Sequence, residues 1–328
     1  MKHLYKHSVV VQSFSRVQNA TGTYDPTYTT RIDGLPCLLQ HVNLQQRDEY
    51  GKQTLRKAVK LFCDYNGFPE AKELTFDGTS GYLTVLDADA VDFGTGDFSI
   101  CFWLDKTTTV ATQSILDKGA ATGGYTISVN NTRIAMLTIA VDVLTYNYIS
   151  TTTAIPTGFC HICFTVDRDG NAKVYINGIL DTTKDLSNVA ASIDTALNFL
   201  IGKTTGSANY MTGKIDHIRL YKKNLSATEV TTIFNGGVKK DYAVADAGAA
   251  AAAWNCNEQT GTTITDEIGG LVGTITGGVT WVAVSETIAE SDRVVVADGR
   301  FAGTYEIIGI EDAGGQAHHL EILLELVE

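Results

Sequence analysis

The chain has 328 residues, 44% of them hydrophobic and 19% charged, enough for two ordinary domains that each bury a core. A formal net charge of -12 excludes a protein that grips nucleic acid over a broad basic surface. Thirty-one glycines, with Thr, Tyr and Val throughout, favour strands and tight turns over long helices, and no apolar run approaches a membrane span.

Residues 7–14 read as a strand, followed by a polar, turn-rich stretch from Asn19 to Thr30 that contains Tyr24-Asp25-Pro26. A second strand is expected over Leu35 to Val42 and a third over Arg56 to Tyr65, with Asp48-Glu49-Tyr50-Gly51 as the turn between them. Asn66-Gly67-Phe68-Pro69-Glu70 has the composition of a linker, and the texture changes after it.

The next region opens with Leu74 to Gly78 and Tyr82 to Val85. Phe98 to Leu104 is apolar enough for a central strand covered on both faces. Ile115 to Gly119, Gly124 to Val129 and Ile134 to Ile139 follow. Phe159 to Val166 and Ala172 to Ile176 flank a hairpin turn at Asp167-Arg168-Asp169-Gly170-Asn171, and Asn177-Gly178 marks a second turn. One helix is signalled. Ser226 and Glu229 fit a capping box, Val230, Ile233 and Phe234 supply the apolar spacing, and Gly236-Gly237 ends it. The Ala249–Ala253 run leads into Trp254 and reads as a spacer or a tightly packed small-residue strand.

Two distributions bear on function. Residues 1–70 carry nine Lys/Arg against six Asp/Glu, whereas 286–328 carry two against ten. If the two segments fold together, one domain has a basic and an acidic region, which suits head-to-tail contacts or is a merely solvated surface. Cys37, Cys63, Cys101, Cys160, Cys163 and Cys256 are scattered, mostly within apolar strand patterns. They are expected to be buried reduced thiols, and together with the lack of an apolar segment behind Met1–His7 they imply cytoplasmic synthesis.

The ordered blocks Phe76-Asp77-Gly78, Phe98…Trp103, Asp117-Lys118-Gly119, Phe159…Asp167, Tyr175-Ile176-Asn177-Gly178, Ile201-Gly202, Gly213…Tyr221 and Leu225-Ser226…Glu229 resemble laminin-G-like, concanavalin-type jelly rolls. Phe159-Cys160-His161 departs from the family's Trp-His-His, a structural substitution. The pieces that open such domains come last here: Trp254 to Glu258, Gly261-Thr262-Thr263, Asp266 to Gly270, and Gly278 to Trp281. The order looks circularly permuted. A domain inserted into a host loop needs its ends together, and this permutation places them at Leu74 and Trp281.

Tyr50-Gly51, Val59 to Phe62, Ser291 to Val296, Gly303 to Ile310 and His318 to Glu325 resemble tailed-phage head-closure proteins, the small β-barrel stoppers of the neck. In that family the final two strands form a hairpin, for which Asp312-Ala313-Gly314-Gly315 supplies the turn. The expected fold is therefore all-β: a discontinuous head-closure β-barrel (1–70 plus 286–328) with an inserted laminin-G-like β-sandwich jelly roll (71–285). The resemblance implies a non-enzymatic homo-oligomeric ring of about six or twelve copies at the virion neck. Its partners would be the portal or adaptor, the tail proteins and DNA passing through the channel without sequence recognition, with no membrane. The alternative is a carbohydrate-binding phage adhesin or decoration protein, with the flanking β segments as an attachment module.

Candidate sites are few. Cys160-His161-Ile162-Cys163 lies in a strand, where positions 160 and 163 point to opposite faces and cannot share a metal, and adjacent His318-His319 fails in the same way. Asp87, Asp89 and Asp92 form a loose carboxylate cluster, and Asp167-Arg168-Asp169-Gly170 resembles half of a calcium loop; neither completes a ligand set. The laminin-G resemblance implies that calcium could sit at Asp77 or Asp216, against the favoured reading of both as turn and edge carboxylates. No other cofactor is expected. Tyr146, Tyr148 and Tyr210, in loops or strand ends, are candidates for stacking on glycans, against the common fate of a packed tyrosine.

Overall fold

A computed structural model describes residues 7–18, 24–47, 53–63, 72–107, 111–120, 123–206, 209–237, 239–283, 293–296, 301–312 and 320–326. The chain divides into two compact units, Met1–Ala71 with Val284–Glu328, and Lys72–Ala283. The first begins with β1 (His7–Gln18), β2 (Tyr24–Arg47) and β3 (Gln53–Cys63).

Sixteen strands follow in the second unit. They are β4 (Lys72–Asp77), β5 (Tyr82–Val85), β6 (Phe98–Lys106), β7 (Gln113–Ala120), β8 (Gly123–Val129), β9 (Ala135–Ala140), β10 (Tyr146–Ser150) and β11 (Cys160–Val166). After these come β12 (Asn171–Ile176), β13 (Ile179–Asp185), β14 (Phe199–Ile201), β15 (Thr212–Tyr221), β16 (Ala252–Trp254), β17 (Thr263–Thr265), β18 (Val272–Thr276) and β19 (Val279–Ala283). The chain then returns to the first unit with β20 (Arg293–Val296), β21 (Gly303–Asp312) and β22 (Leu320–Leu326).

The first unit is a closed antiparallel barrel in the order β1-β2-β3-β22-β21-β20, drawing three strands from each end of the unit's sequence. Alternation explains its core. Leu39 faces Leu61, Leu61 faces Ile322, Val59 faces Leu324, and Val294 faces Tyr305, so the described buried residues of β2, β3, β20, β21 and β22 fall on one side. Phe301 joins this cluster, and its carbonyl accepts a 2.7 Å hydrogen bond from the Tyr305 hydroxyl. One expectation is corrected here. Residues 24–30 are strand, not turn, because β1 continues to Gln18 and pairs with β2 as far as Gln18↔Tyr24. At that depth β2 has no second described partner, so Pro26 interrupts no central ladder. The His318-His319 pair, Tyr50-Gly51 and the 313–315 turn lie outside the described residues.

The second unit is a sandwich of two sheets. One runs β10-β9-β8-β7-β14-β5-β18-β17; the other runs β13-β12-β11-β6-β15-β4-β19, with β16 also paired to β15. Its core lies between them and includes Phe76, Phe98, Phe102, Phe164, Phe199 and Trp254. Leu74 pairs directly with Trp281, and Lys72 with Ala283, so both ends of the unit leave from neighbouring strands. Phe98–Lys106 is the central strand expected, flanked by β11 and β15 and buried almost throughout.

Helix α1 (Ala227–Phe234) begins at the expected capping box: Ser226 Oγ accepts from Glu229 N, and Glu229 accepts from Ser226 N at 2.8 Å. It stops one residue before the glycines, on Asn235 in the left-handed region at φ 51°. A short turn, α2 (Val244–Ala247), was not expected. Together with Ala250 and Ala253, the two helices cover Cys101, Cys163, Tyr175 and Tyr221 on the outer face of the β6-containing sheet. One sheet has its outer face covered by helix; on the other, Thr205 covers Asp117 of β7, while outward side chains such as Tyr148, Thr263 and Thr274 are exposed.

Candidate functional site

The two calcium candidates sit apart on the β4/β15 ladder. Asp77, opposite Thr212, closes the turn after β4. Its oxygens accept from the amides of Thr79, Ser80 and Gly81 at 2.8–3.0 Å and from the hydroxyls of Thr79 and Ser80 at 2.7 and 2.9 Å. Slight burial works against the charge, but these donors, the Ser80 amide foremost, hold the carboxyl well below its usual range. Ser80 Oγ also accepts from the amide of Gly278, where an added Cβ would strike Asp77 itself.

Asp216 lies further along β15, beside a bulge where His217 takes φ 46°. It accepts from His217 Nδ1 at 2.7 Å and from Lys239 Nζ at 2.8 Å, and Lys239 also bonds Glu73, which holds Lys214 at 2.7 Å. Burial opposes its charge, yet His217 and Lys239 keep its carboxyl low. Burial likewise opposes the His217 cation, and Asp216 and Asp241 raise it nonetheless. The network ties the 239–241 segment to the sheet.

The Asp87, Asp89 and Asp92 cluster is occupied by lysines. Buried Lys118 reaches Asp87 at 2.5 Å and Asp92 at 3.1 Å and donates to the carbonyls of Thr195 and Leu197. Asp89 pairs with Lys222. Among the described residues, no group of three or more His, Cys, Asp or Glu is arranged to hold a metal.

The cysteine expectation needs correction. Cys101 and Cys163 form a disulfide, with Cα atoms 4.1 Å apart. They are directly opposed on β6 and β11, a cross-strand pairing that only tertiary register reveals. The parity argument stands: Cys160 faces the inter-sheet core and Cys163 the helix-covered face. Cys160 and Cys256 are buried thiols; burial pushes Cys160 up to about 12, so neither is a poised nucleophile.

Tyr146 and Tyr148 belong to the uncovered sheet, and Tyr210 lies in the segment between β14 and β15. Tyr146 and Tyr148 are 59% and 44% exposed on β10, that sheet's edge strand, and face away from the core that Ile149 enters. The ammonium of Lys184 sits 4.0 Å from the centre of the Tyr148 ring. Tyr210, half-buried, packs beside Tyr82 with ring centroids 6.3 Å apart. Lys203 lies over both rings, 4.6 Å from Tyr82 and 5.3 Å from Tyr210.

Register extends this surface. Tyr148 pairs with Thr138, Thr138 with Thr126, and Thr126 with Asp117; Leu200, Thr84, Thr274 and Thr263 continue the row. Opposed residues share a face, so this row lies with Tyr82, Tyr146 and Tyr148 on the outer side of the sheet, interrupted at β7 where Asp117 is buried beneath Thr205. Tyr82 and Lys203 were missed from sequence. The alternation Tyr82-Leu83-Thr84-Val85 marks Tyr82 as outward-facing once β5 is known to be half-buried.

The Lys72–Ala283 unit is a two-sheet β-sandwich of concanavalin-like, jelly-roll type. A family model described as the concanavalin A-like lectin/glucanases superfamily matches residues 77–231. Among solved structures, the chain is similar in fold to a putative carbohydrate binding protein from Bacteroides ovatus. Identity is 14% and the TM-score 0.51, with 87% of this chain and 90% of that chain covered. A native heptameric SAP-like pentraxin from Limulus polyphemus matches at 17% identity and TM-score 0.40, covering 50% of this chain and 82% of its own. The CBM40 of the Ruminococcus gnavus IT-sialidase, bound to alpha2,3 sialyllactose, matches at 18% and 0.39, covering 50% and 97%. No curated protein matches the sequence.

Proposed function

We propose that this is a carbohydrate-binding adhesin or decoration protein of a phage particle. Its sandwich unit meets glycans through the uncovered sheet, and its barrel serves as the attachment module. One observation carries the reading: the outer face spanning β10 to β17 combines exposed tyrosines with rows of threonines, whereas the opposite sheet is covered by α1 and α2. Tyrosine rings stack on the apolar faces of sugars, and hydroxyls replace the water that sugar hydroxyls give up. The lectin superfamily match over 77–231 supports the same reading. Calcium forms no part of it, because the oxygens of Asp77 and Asp216 already accept bonds from protein donors. Catalysis forms no part of it either. A glycan array probed with the full chain, with and without chelator, is the test. Binding that survives chelation and weakens in Tyr148→Ala or Tyr210→Ala is expected; a blank array would remove the proposal.

A second reading, a head-closure ring at the virion neck, draws on the closed barrel assembled from both ends of the sequence. Cryo-EM of the particle separates the two. Density for the chain as a ring between portal and tail favours the neck role; density on the capsid or tail surface favours decoration.

A further inference from the structure

We infer that the tyrosine-bearing face takes acidic sugars, with Lys203, held over Tyr82 and Tyr210, pairing with their carboxylate. This rests on the glycan reading and names the class of sugar within it.

The position of Lys203 is fixed by its backbone. Gly202, at φ +86°, precedes it in a conformation and a space that reject a side chain, since an added Cβ would lie 2.5 Å from the Phe76 ring. Gly202 donates to the Ile115 carbonyl and accepts from Met211, each at 2.8 Å, which anchors the segment where it leaves β14 and where it enters β15 of the other sheet. Thr205 is tied to buried Asp117 through its amide and its hydroxyl, both at 2.9 Å. The ammonium therefore starts from a constrained chain and rests on two ring faces.

Among the described residues it has no carboxylate partner. Lys118, Lys214, Lys222, Lys223, Lys239 and Lys240 each hold a carboxylate. Among the described residues, Lys203, Lys184 and Lys173 form no such pair, although the chain carries a net charge of -12. Lys203 and Lys184 instead lie over tyrosines of the uncovered sheet's outer face or edge. Cation–π contact orients an ammonium without neutralising it, so each retains its full attraction for an anion. A sugar whose ring packs on Tyr82 or Tyr210 brings a carboxylate on that ring within reach of Nζ. The two lysine–tyrosine points lie on β10 and β5, five inter-strand spacings or about 24 Å apart. That span suits an extended oligosaccharide with repeated charges better than a single sugar.

The test is calorimetric titration of the full chain with oligogalacturonates, hyaluronan oligosaccharides and sialylated oligosaccharides, each beside its carboxyl-reduced counterpart. At least one acid should bind roughly tenfold or more tightly than its reduced partner, the worth of one charge-assisted hydrogen bond. Lys203→Met should abolish that preference, so that the acid and its reduced partner bind the variant alike. Equal affinities for acid and reduced sugars, with Lys203→Met silent, would overturn the inference and leave the glycan reading standing. Failure of every sugar to bind would overturn both.

Discussion

At the scale of single residues, tyrosine and histidine make the testable claims. Truncating Tyr148 or Tyr210 to Ala removes one ring from the proposed face; the expected loss is about 1 kcal/mol, or roughly fivefold in Kd, with folding unaffected. His161 is fully buried between Trp103 and Phe234, and neither ring nitrogen has a hydrogen-bond partner. Burial first, then Arg219 and His217, lowers its pKa to about 3 from the ordinary 6.5. The unfolded chain therefore binds the proton more readily: stability from neutral His161 is complete above pH 6.5 and lost as pH falls towards 3. His217 runs the other way. Its raised value means its contribution is complete below 6.5 and lost as pH rises through the folded pKa, while Asp216 and Asp241, both lowered, contribute above 3.8 and lose that as pH falls. His161→Phe should flatten the acid limb of a melting-temperature profile between pH 6.5 and 3; an unchanged limb would show that His161 does not set it. Of these residues, sequence exposed Tyr146, Tyr148 and Tyr210 by their place at strand ends. It left out Tyr82 and Lys203, because their partnership depends on a loop crossing onto a strand from far away in the chain.

At the scale of elements, α1 rests on a local cap and the β6/β11 pair on a long-range bond. The capping box was readable because its chemistry is local, Ser226 to Glu229. Ser226→Ala should cost about 1 kcal/mol and lower the melting temperature by a few degrees. The Cys101–Cys163 bond was unreadable because its partners are 62 residues apart and meet only through strand register. Closing a loop of that length limits the unfolded chain, worth about 4 kcal/mol in the chain-entropy description. Thiol titration of the denatured, unreduced protein should find two fewer thiols than after reduction, and reductant should lower the melting temperature. Equal titres would show that the pair is not bonded. The extension of β2 back to Tyr24 was hidden for a different reason. Polar, turn-forming residues were read by composition, while the pairing with β1 that makes them strand is long-range.

At the scale of the whole molecule, each unit buries its own cluster: Leu39, Leu61, Ile322 and their neighbours in the barrel, and Phe76, Phe102, Trp254 and theirs in the sandwich. Because Lys72 pairs with Ala283, residues 72–283 should fold when expressed alone, with a cooperative melt and the same disulfide. A molten, exchange-unprotected product would show that the unit depends on its flanks. The adjacency of Leu74 and Trp281 followed from the order of motifs, since late blocks of the chain had to complete sheets begun by early ones. What each sheet's outer face does was beyond motif order; it emerged only when α1 and α2 were seen to cover one of them.

The central claim is that glycan meets the uncovered face. Hydrogen–deuterium exchange of the full chain, with and without the best-binding glycan from the array, tests it most directly. Slowed exchange in β10, β5 and residues 203–206 is the expected result; protection confined to the β11–β6–β15 side, or none at saturating glycan, would contradict it.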